Sequence, residues 1–247
     1  MRVLIVRHGD PDYSIDSLTE KGWREAGLLS ERLCRMDVKA FYVSPLGRAK
    51  DTASLTLKKL NRTAQEMPWM REFDAKIMRP DADGEMIVWD WLPADWTEVT
   101  EYYDREKWSR TEIMEQGQTE HGSIRQEYQW VTNGLDQLLE KHGYVRERGY
   151  YRAVEANNDT IVLFCHFGLE CVLLSHLLGI SPMILWHGFC AAPTSVTTIY
   201  TEERRKGIAS FRVSSFGDIS HLYVADEEPA FAARFCECYD NAQERHD

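Results

Sequence analysis

A layered α/β fold, with helices on both faces of one sheet, is the class this 247-residue sequence predicts. Three observations carry the prediction. Strand-like apolar runs alternate with helical patterns along the first sixty residues, the order that builds such a sheet. Two of the runs, residues 3–6 and 161–165, lead directly into histidine-bearing segments, Arg7-His8-Gly9 and His166-Phe167-Gly168. A third run, residues 40–43, leads into Ser44-Pro45-Leu46-Gly47-Arg48-Ala49. In open α/β sheets ligands bind beyond the carboxyl ends of the strands, so these distant segments are expected to meet in one crevice.

The elements follow in order. Residues 2–7 read as a short buried strand, and residues 10–14 as a loop. Thr19 is placed to cap a helix that buries Trp23, Ala26, Leu29 and Leu33. After strand 40–44, Ser44-Pro45 opens a helix running to about Leu60, since proline suits a first turn. Residues 66–73 return to an extended course ending in Met70-Arg71-Glu72-Phe73. From Arg79 the composition changes, and Trp89, Trp91, Trp96, Tyr102, Tyr103 and Trp108 crowd among acidic side chains. We read 79–150 as an insertion or lid on a single 247-residue domain, its aromatic part helical and packed over the crevice. These aromatics either pack on one another or select part of whatever ligand the crevice holds.

Within 79–150, a helix from Ser123 presents Ile124, Tyr128, Val131, Leu135 and Leu138 on one face. Residues 143–158 read as a polar loop. Strand 160–165 then delivers His166, followed by a helix ending near Gly179. Residues 195–201 and 209–216 form a hairpin about the charged turn 202–207, and a final helix is expected over 227–239.

A chain with 43% apolar residues can bury a sizeable core. Its formal net charge of −11 argues against nucleic acid as a partner, so an anionic ligand must be captured locally. The six cysteines are scattered and the chain opens on a strand-like run without a basic-then-apolar leader, which reads as cytoplasmic with reduced thiols. The longest apolar stretch, 161–180, is interrupted by His166, Glu170 and His176, so no membrane association is expected. The eight histidines show no close-spaced ligand pattern, and no metal is expected. His176 and His187 are assigned to packing.

Two histidines and two arginines around a crevice describe an anion site, and a phosphoryl group matches it. Arg7 and Arg48 offer forked donors to phosphate oxygens and stay charged at any working pH. A neutral imidazole whose other nitrogen is held by a carbonyl can attack phosphorus, and His8 is the candidate nucleophile. His166 would donate to the oxygens in flight, with amides of the following helix adding to the cradle. The leaving oxygen needs a proton. Asp10, Glu72, Asp74 and Glu85 are the candidates, and Glu72 is preferred because it ends an extended segment.

Four segments together resemble the histidine phosphatase superfamily, the phosphoglycerate-mutase-like fold. They are Val6-Arg7-His8-Gly9-Asp10-Pro11, Leu18-Thr19-Glu20-Lys21-Gly22, the run from Ser44 to Ala53, and His166-Phe167-Gly168. Pro193-Thr194-Ser195-Val196-Thr197 and Ser220-His221-Leu222 resemble that family's closing segments. The resemblance implies a three-layer α/β/α sandwich on a mixed, mostly parallel sheet, with no metal or other cofactor. By resemblance His8, Glu72 and His166 are catalytic, and Arg7, Arg48, Ser14 and Gly168 bind the phosphate of a small phosphorylated substrate.

Ser14 stands where the mutases carry asparagine, because their Glu-Ser-x-Trp-Asn run is replaced by Asp10-Pro11-Asp12-Tyr13-Ser14. The mutase Arg-His-Tyr-Gly after the acid is also replaced, by Phe73-Asp74-Ala75-Lys76. Both departures favour hydrolysis over mutase-type transfer. The reading from another class is a non-catalytic phosphate-ligand binder.

Overall fold

In the computed structural model, which describes residues 1–232 and 234–246, the alternation of strand and helix builds one eight-stranded sheet between two helical layers. The sheet runs, edge to edge, through Tyr144–Glu147, Tyr150–Ala153, Ile208–Asp218, Val196–Arg205, Arg2–Arg7, Thr160–Cys165, Ala40–Val43 and Gln65–Glu66. The last four are parallel to one another and the first four join them antiparallel. The sheet is therefore mixed, and its parallel pairing is confined to the half that carries the histidine segments.

Strand sequences explain the layering. Successive side chains point to opposite faces, so Val3 and Ile5 join one core cluster while Leu4 and Val6 join the other. Ile161 and Leu163 divide from Val162 and Phe164 in the same way. Both faces are covered, which is why these strands are apolar throughout instead of alternating. Each such side chain, once buried, contributes about 1.5–3 kcal/mol.

One face is covered by helices Glu20–Leu33 and Gly47–Leu60, the other by Ile124–Lys141, Phe167–Leu178 and Pro182–Gly188. Thr19 caps the first helix by accepting from the Gly22 amide, as expected. Ala26, Leu29 and Leu33 are buried, but Trp23 is exposed, because the buried stripe runs through Gly22 and Glu25 instead. Ser123 and Gln126 close a reciprocal capping box on the Ile124–Lys141 helix. The second helix starts at Gly47, later than expected, with Ser44 and Pro45 still extended or turning.

Three expectations are corrected. Residues 144–153 are a hairpin, not a polar loop: Tyr144 and Tyr151 each pack edge-on against Phe211, and Arg146 lies over the Tyr151 ring at 4.8 Å. The 79–122 stretch is helical only in short pieces, Pro93–Trp96 and Glu112–Gln116, with two 3-10 turns. Its ends pair in a small four-stranded antiparallel sheet formed by Glu85–Ile87, Lys76–Met78, Gln118–Thr119 and Gly122–Ser123. Long-range packing of Trp91, Tyr102 and Trp108 into the core holds this chain, so no continuous helix is needed. No helix forms among the described residues of 227–239; Ala233 lies outside them. Tertiary bonds to the first helix fix the course of this chain instead: Lys21 reaches Glu227 and Glu228 O, and the Ala230 amide donates to Glu25 Oε1 at 2.9 Å. Among the described residues no helix is long and apolar enough to cross a membrane.

Candidate active site

Register brings the histidine segments together. Arg7 lies opposite Cys165 in the parallel pair, so His8 and His166 leave adjacent strands at the same level. The His8 amide donates to Cys165 O at 2.9 Å, and the Ser44 amide donates to Phe164 O at 2.9 Å on the other side. Three carboxyl strand ends thus stand side by side at one end of the sheet. The rings of His8 and His166 are 5.1 Å apart between centroids.

Each imidazole is held by one nitrogen. His8 Nδ1 lies 2.7 Å from Gly9 O, and a carbonyl only accepts, so Nδ1 carries the proton and the Nε2 lone pair is free. His166 Nε2 lies 2.7 Å from Ser44 Oγ. Both rings are buried, and burial, reinforced by Arg7 and Arg48, holds both well below the ordinary imidazole pKa. For His166 the neighbouring His8 acts in the same direction.

The arginines are clamped from behind. Arg7 Nη1 donates to Ala191 O, and Arg48 Nη1 donates to Asp16 Oδ1 at 2.6 Å. The other oxygen of Asp16 takes the Gly47 amide at 2.6 Å. A Cβ on Gly47 would fall 2.2 Å from Asp16 O, so only glycine lets the loop close here. Among the described residues Arg7 Nε, Arg48 Nε and His166 Nδ1 are buried with no hydrogen-bond partner. Buried polar atoms are nearly always paired, so three orphaned nitrogens in one site mark a place built for a guest.

Glu72 closes the other side. Its Oε1 accepts from the Phe73 amide at 2.8 Å and from the Leu169 amide at 2.9 Å. Burial raises its pKa above the usual carboxylate value despite these two donors and the arginines. A Cβ on Gly168 would lie 2.8 Å from Glu72 Oε1 and 2.7 Å from Trp89 Nε1, so this glycine is required for the contact. Trp89 is fixed in turn by donating to Phe73 O at 2.7 Å, and it meets Phe167 edge-on.

The structure therefore brings Arg7, His8, Arg48, Glu72, His166 and Gly168 together. Ser14 is not drawn in by any hydrogen bond: it is exposed, and its amide and hydroxyl both donate to Asp12 Oδ1. The helix after His166 has fewer amides to offer than expected, since Leu169 serves Glu72 and Glu170 bonds back to His166 O. His176 bonds Asp136, and His187 donates to Met183 O and accepts from the Trp91 amide. Both are satisfied packing histidines. Among the described residues no group of three or more side chains is arranged to hold a metal ion.

Several supporting residues received no role from the sequence, although Thr52, Thr194 and His221 lie in the segments that carry the family resemblance. Asp16 is a loop aspartate with φ of 48°, and only its contact with Arg48 reveals it. Thr52 accepts from the Gly9 amide at 2.9 Å. Thr194, in the left-handed region at φ 58°, donates its amide to His8 O at 3.1 Å and bonds His221 Nε2 at 3.1 Å. Burial lowers the His221 pKa to about 4, so its ring is neutral in this contact. Glu170, buried beneath Arg7, has its pKa raised by burial to about 7.

The family model for the histidine phosphatase superfamily (branch 1) matches residues 3–214. The chain belongs to the histidine phosphatase superfamily. A curated relative, the 2,3-bisphosphoglycerate-dependent phosphoglycerate mutase of Thermoplasma acidophilum, is 35% identical over 69 residues, 24% of this chain. The chain spans only 34% of that mutase's length. Among solved structures, a phosphoserine phosphatase from Entamoeba histolytica bound to phosphoserine is 18% identical, with a TM-score of 0.56 over 90% of this chain and 98% of its own. A mycobacterial glucosyl-3-phosphoglycerate phosphatase, solved with VO3, is 19% identical, with a TM-score of 0.56 over 87% and 98%. At these identities the likeness establishes a shared fold, and this histidine phosphatase superfamily member has the same mixed sheet between helices.

Proposed function

We propose that the protein hydrolyses a small phosphomonoester through a phosphohistidine on His8. The observation that carries this reading is the set of orphaned buried nitrogens on Arg7, Arg48 and His166 around an imidazole whose Nε2 lone pair is free. A phosphoryl group spreads charge over three oxygens, and these three nitrogens are the donors it needs.

In this reading His8 Nε2 attacks phosphorus in line with the ester oxygen. The P–O bond breaks, and Glu72 gives its proton to the leaving alkoxide. Two amides already occupy Glu72 Oε1, so the other oxygen carries that proton. Ser44 donates to His166 Nε2, which leaves the His166 proton on Nδ1 for a phosphoryl oxygen. Water then attacks the phosphohistidine, Glu72 takes a proton from it, and inorganic phosphate departs with His8 restored. Arg7 and Arg48 hold the charge in both steps, and Gly168 keeps Glu72 close. Of the 79–150 stretch, the aromatic part up to about residue 122 acts as the lid that selects the alcohol, because the Ile124–Lys141 helix and the strand Tyr144–Glu147 belong to the main sheet and its cover.

The names of the phosphatase neighbours support hydrolysis, and the mutase relative supports phosphoryl return to a second hydroxyl. Phosphate release from p-nitrophenyl phosphate, without isomerisation of 3-phosphoglycerate, is the expected outcome. Acid-labile phosphohistidine should be trapped in the wild type and absent from His8→Ala. Isomerisation faster than phosphate release would favour the mutase, phosphate binding without turnover of any ester would favour a ligand-binding role, and turnover undiminished in His8→Ala would remove His8 as the nucleophile.

A further inference from the structure

Beside the phosphoryl site lies a cleft of about 840 Å³. Pockets that enclose an organic ligand span roughly 300–1,000 Å³, far more than one phosphoryl group fills. Phe167 stands between the two: its ring lines the cleft and lies 5.9 Å from the Arg7 guanidinium. Trp186, also in the cleft wall, donates its indole N–H to Gly168 O at 2.9 Å.

Rings form much of the cleft. Trp91, Phe167 and Trp186 are buried in its wall, and Trp96 is stacked on His187 with centroids 4.7 Å apart. At the solvent side, Met86, Leu92, Phe189 and Tyr239 all line the cleft and all are exposed. Such a concentration of exposed apolar side chains around a concavity marks a binding surface. The Arg79–Asp81 ion pair in the same wall is buried and mutually satisfied, and Arg79 also donates to Trp89 O and Asp90 O. Phe189 is held in place by an edge-on contact with Phe216 at 4.9 Å.

We propose that this cleft receives the alcohol part of the substrate and selects phosphomonoesters whose alcohol carries an aromatic or other planar apolar group. The proposal deepens the hydrolase reading and rests on it, because the phosphoryl group must sit against Arg7 for the alcohol to cross Phe167. Small, highly charged sugar or glycerate phosphates would leave the rings uncovered and gain nothing from them.

The test separates the two readings by using phosphonates, which bind without turning over. Affinities of 2-phenylethylphosphonate and ethylphosphonate are compared by calorimetry, since the two differ only in the ring. About 10-fold or more tighter binding of the phenylethyl compound is expected from burial of one phenyl group. Phe189→Ala, and independently Leu92→Ala, should narrow that ratio. Equal affinities, or a ratio that neither variant narrows, overturn the cleft proposal. Hydrolysis of 2-phenylethyl phosphate and ethyl phosphate is measured alongside. A preserved affinity ratio with no hydrolysis of either ester refutes the hydrolase while sustaining the cleft, and binding of neither phosphonate refutes both.

Discussion

His8 donates Nδ1–H to the carbonyl of its own neighbour, Gly9, at 2.7 Å, so the tautomer of the ring is set by one peptide unit of the strand end that carries it. That contact leaves the Nε2 lone pair free, and nothing distant is needed to keep it so. Removing the ring by His8→Ala should lower kcat for p-nitrophenyl phosphate by on the order of 10⁴-fold or more, as for loss of other enzymic nucleophiles. Phosphate binding should persist, since Arg7 and Arg48 remain. Stopped-flow turnover together with calorimetric phosphate titration checks both halves.

Burial raises the pKa of Glu72 against the pull of two amides and the arginines. Glu72→Gln should reduce hydrolysis of alkyl phosphates by about 10²–10⁴-fold, the usual worth of a positioned acid. Loss on p-nitrophenyl phosphate should be much smaller, because nitrophenolate leaves without protonation. Equal losses on the two ester classes would remove Glu72 from the proton-donor role.

Asp16 anchors Arg48 and the Gly47 amide at once. Its replacement by alanine frees the guanidinium and also strains a backbone whose φ is 48°. KM should rise about 10-fold, equivalent to about 1.4 kcal/mol, with kcat changed less. Asp16→Asn, which tolerates that backbone and retains one acceptor, should recover part of the loss.

Glu170 is buried beneath the site with its pKa raised to about 7 from an ordinary 4.5. The unfolded chain ionises this carboxyl near 4.5 while the folded protein keeps the proton until about 7, so stability contributed by the group is lost as pH rises across that window. The gap corresponds to on the order of 3 kcal/mol. Glu170→Gln should flatten the pH dependence of the urea midpoint between those limits. An unchanged slope would show that Glu170 does not govern it.

His8 and His166 act with the opposite sense. Their folded pKa values lie well below 6.5, so below that pH the unfolded chain binds more protons and stability falls as the solution is acidified. Inorganic phosphate at 100 times its Kd should stabilise the protein by about 2.7 kcal/mol. At the same phosphate concentration Arg7→Ala should be stabilised far less. Differential scanning fluorimetry across phosphate concentration and pH reads both effects.

Local pattern specifies a large part of this protein. The apolar runs at 3–6, 40–43 and 161–165 announce buried strands, and the residues beyond them announce His8, Arg48 and His166. Thr19 and Ser123 announce two helix starts. These signals are legible because strand and helix periods, caps and strand ends are properties of residues near one another in the chain. Folding across long separations supplies the rest. Glu72 acquires its donor Leu169 from 97 residues away, Arg7 its clamp Ala191 from 184, and Thr194 its partner His221 from 27. The hairpin at 144–153 forms because Tyr144 and Tyr151 find Phe211, and the expected helix at 227–239 is absent among the described residues, where bonds to Lys21 and Glu25 fix the chain instead. Propensity can nominate a side chain for chemistry, but its pKa, its free nitrogen and the space beside it depend on burial and on partners that only the folded chain brings within a few ångströms.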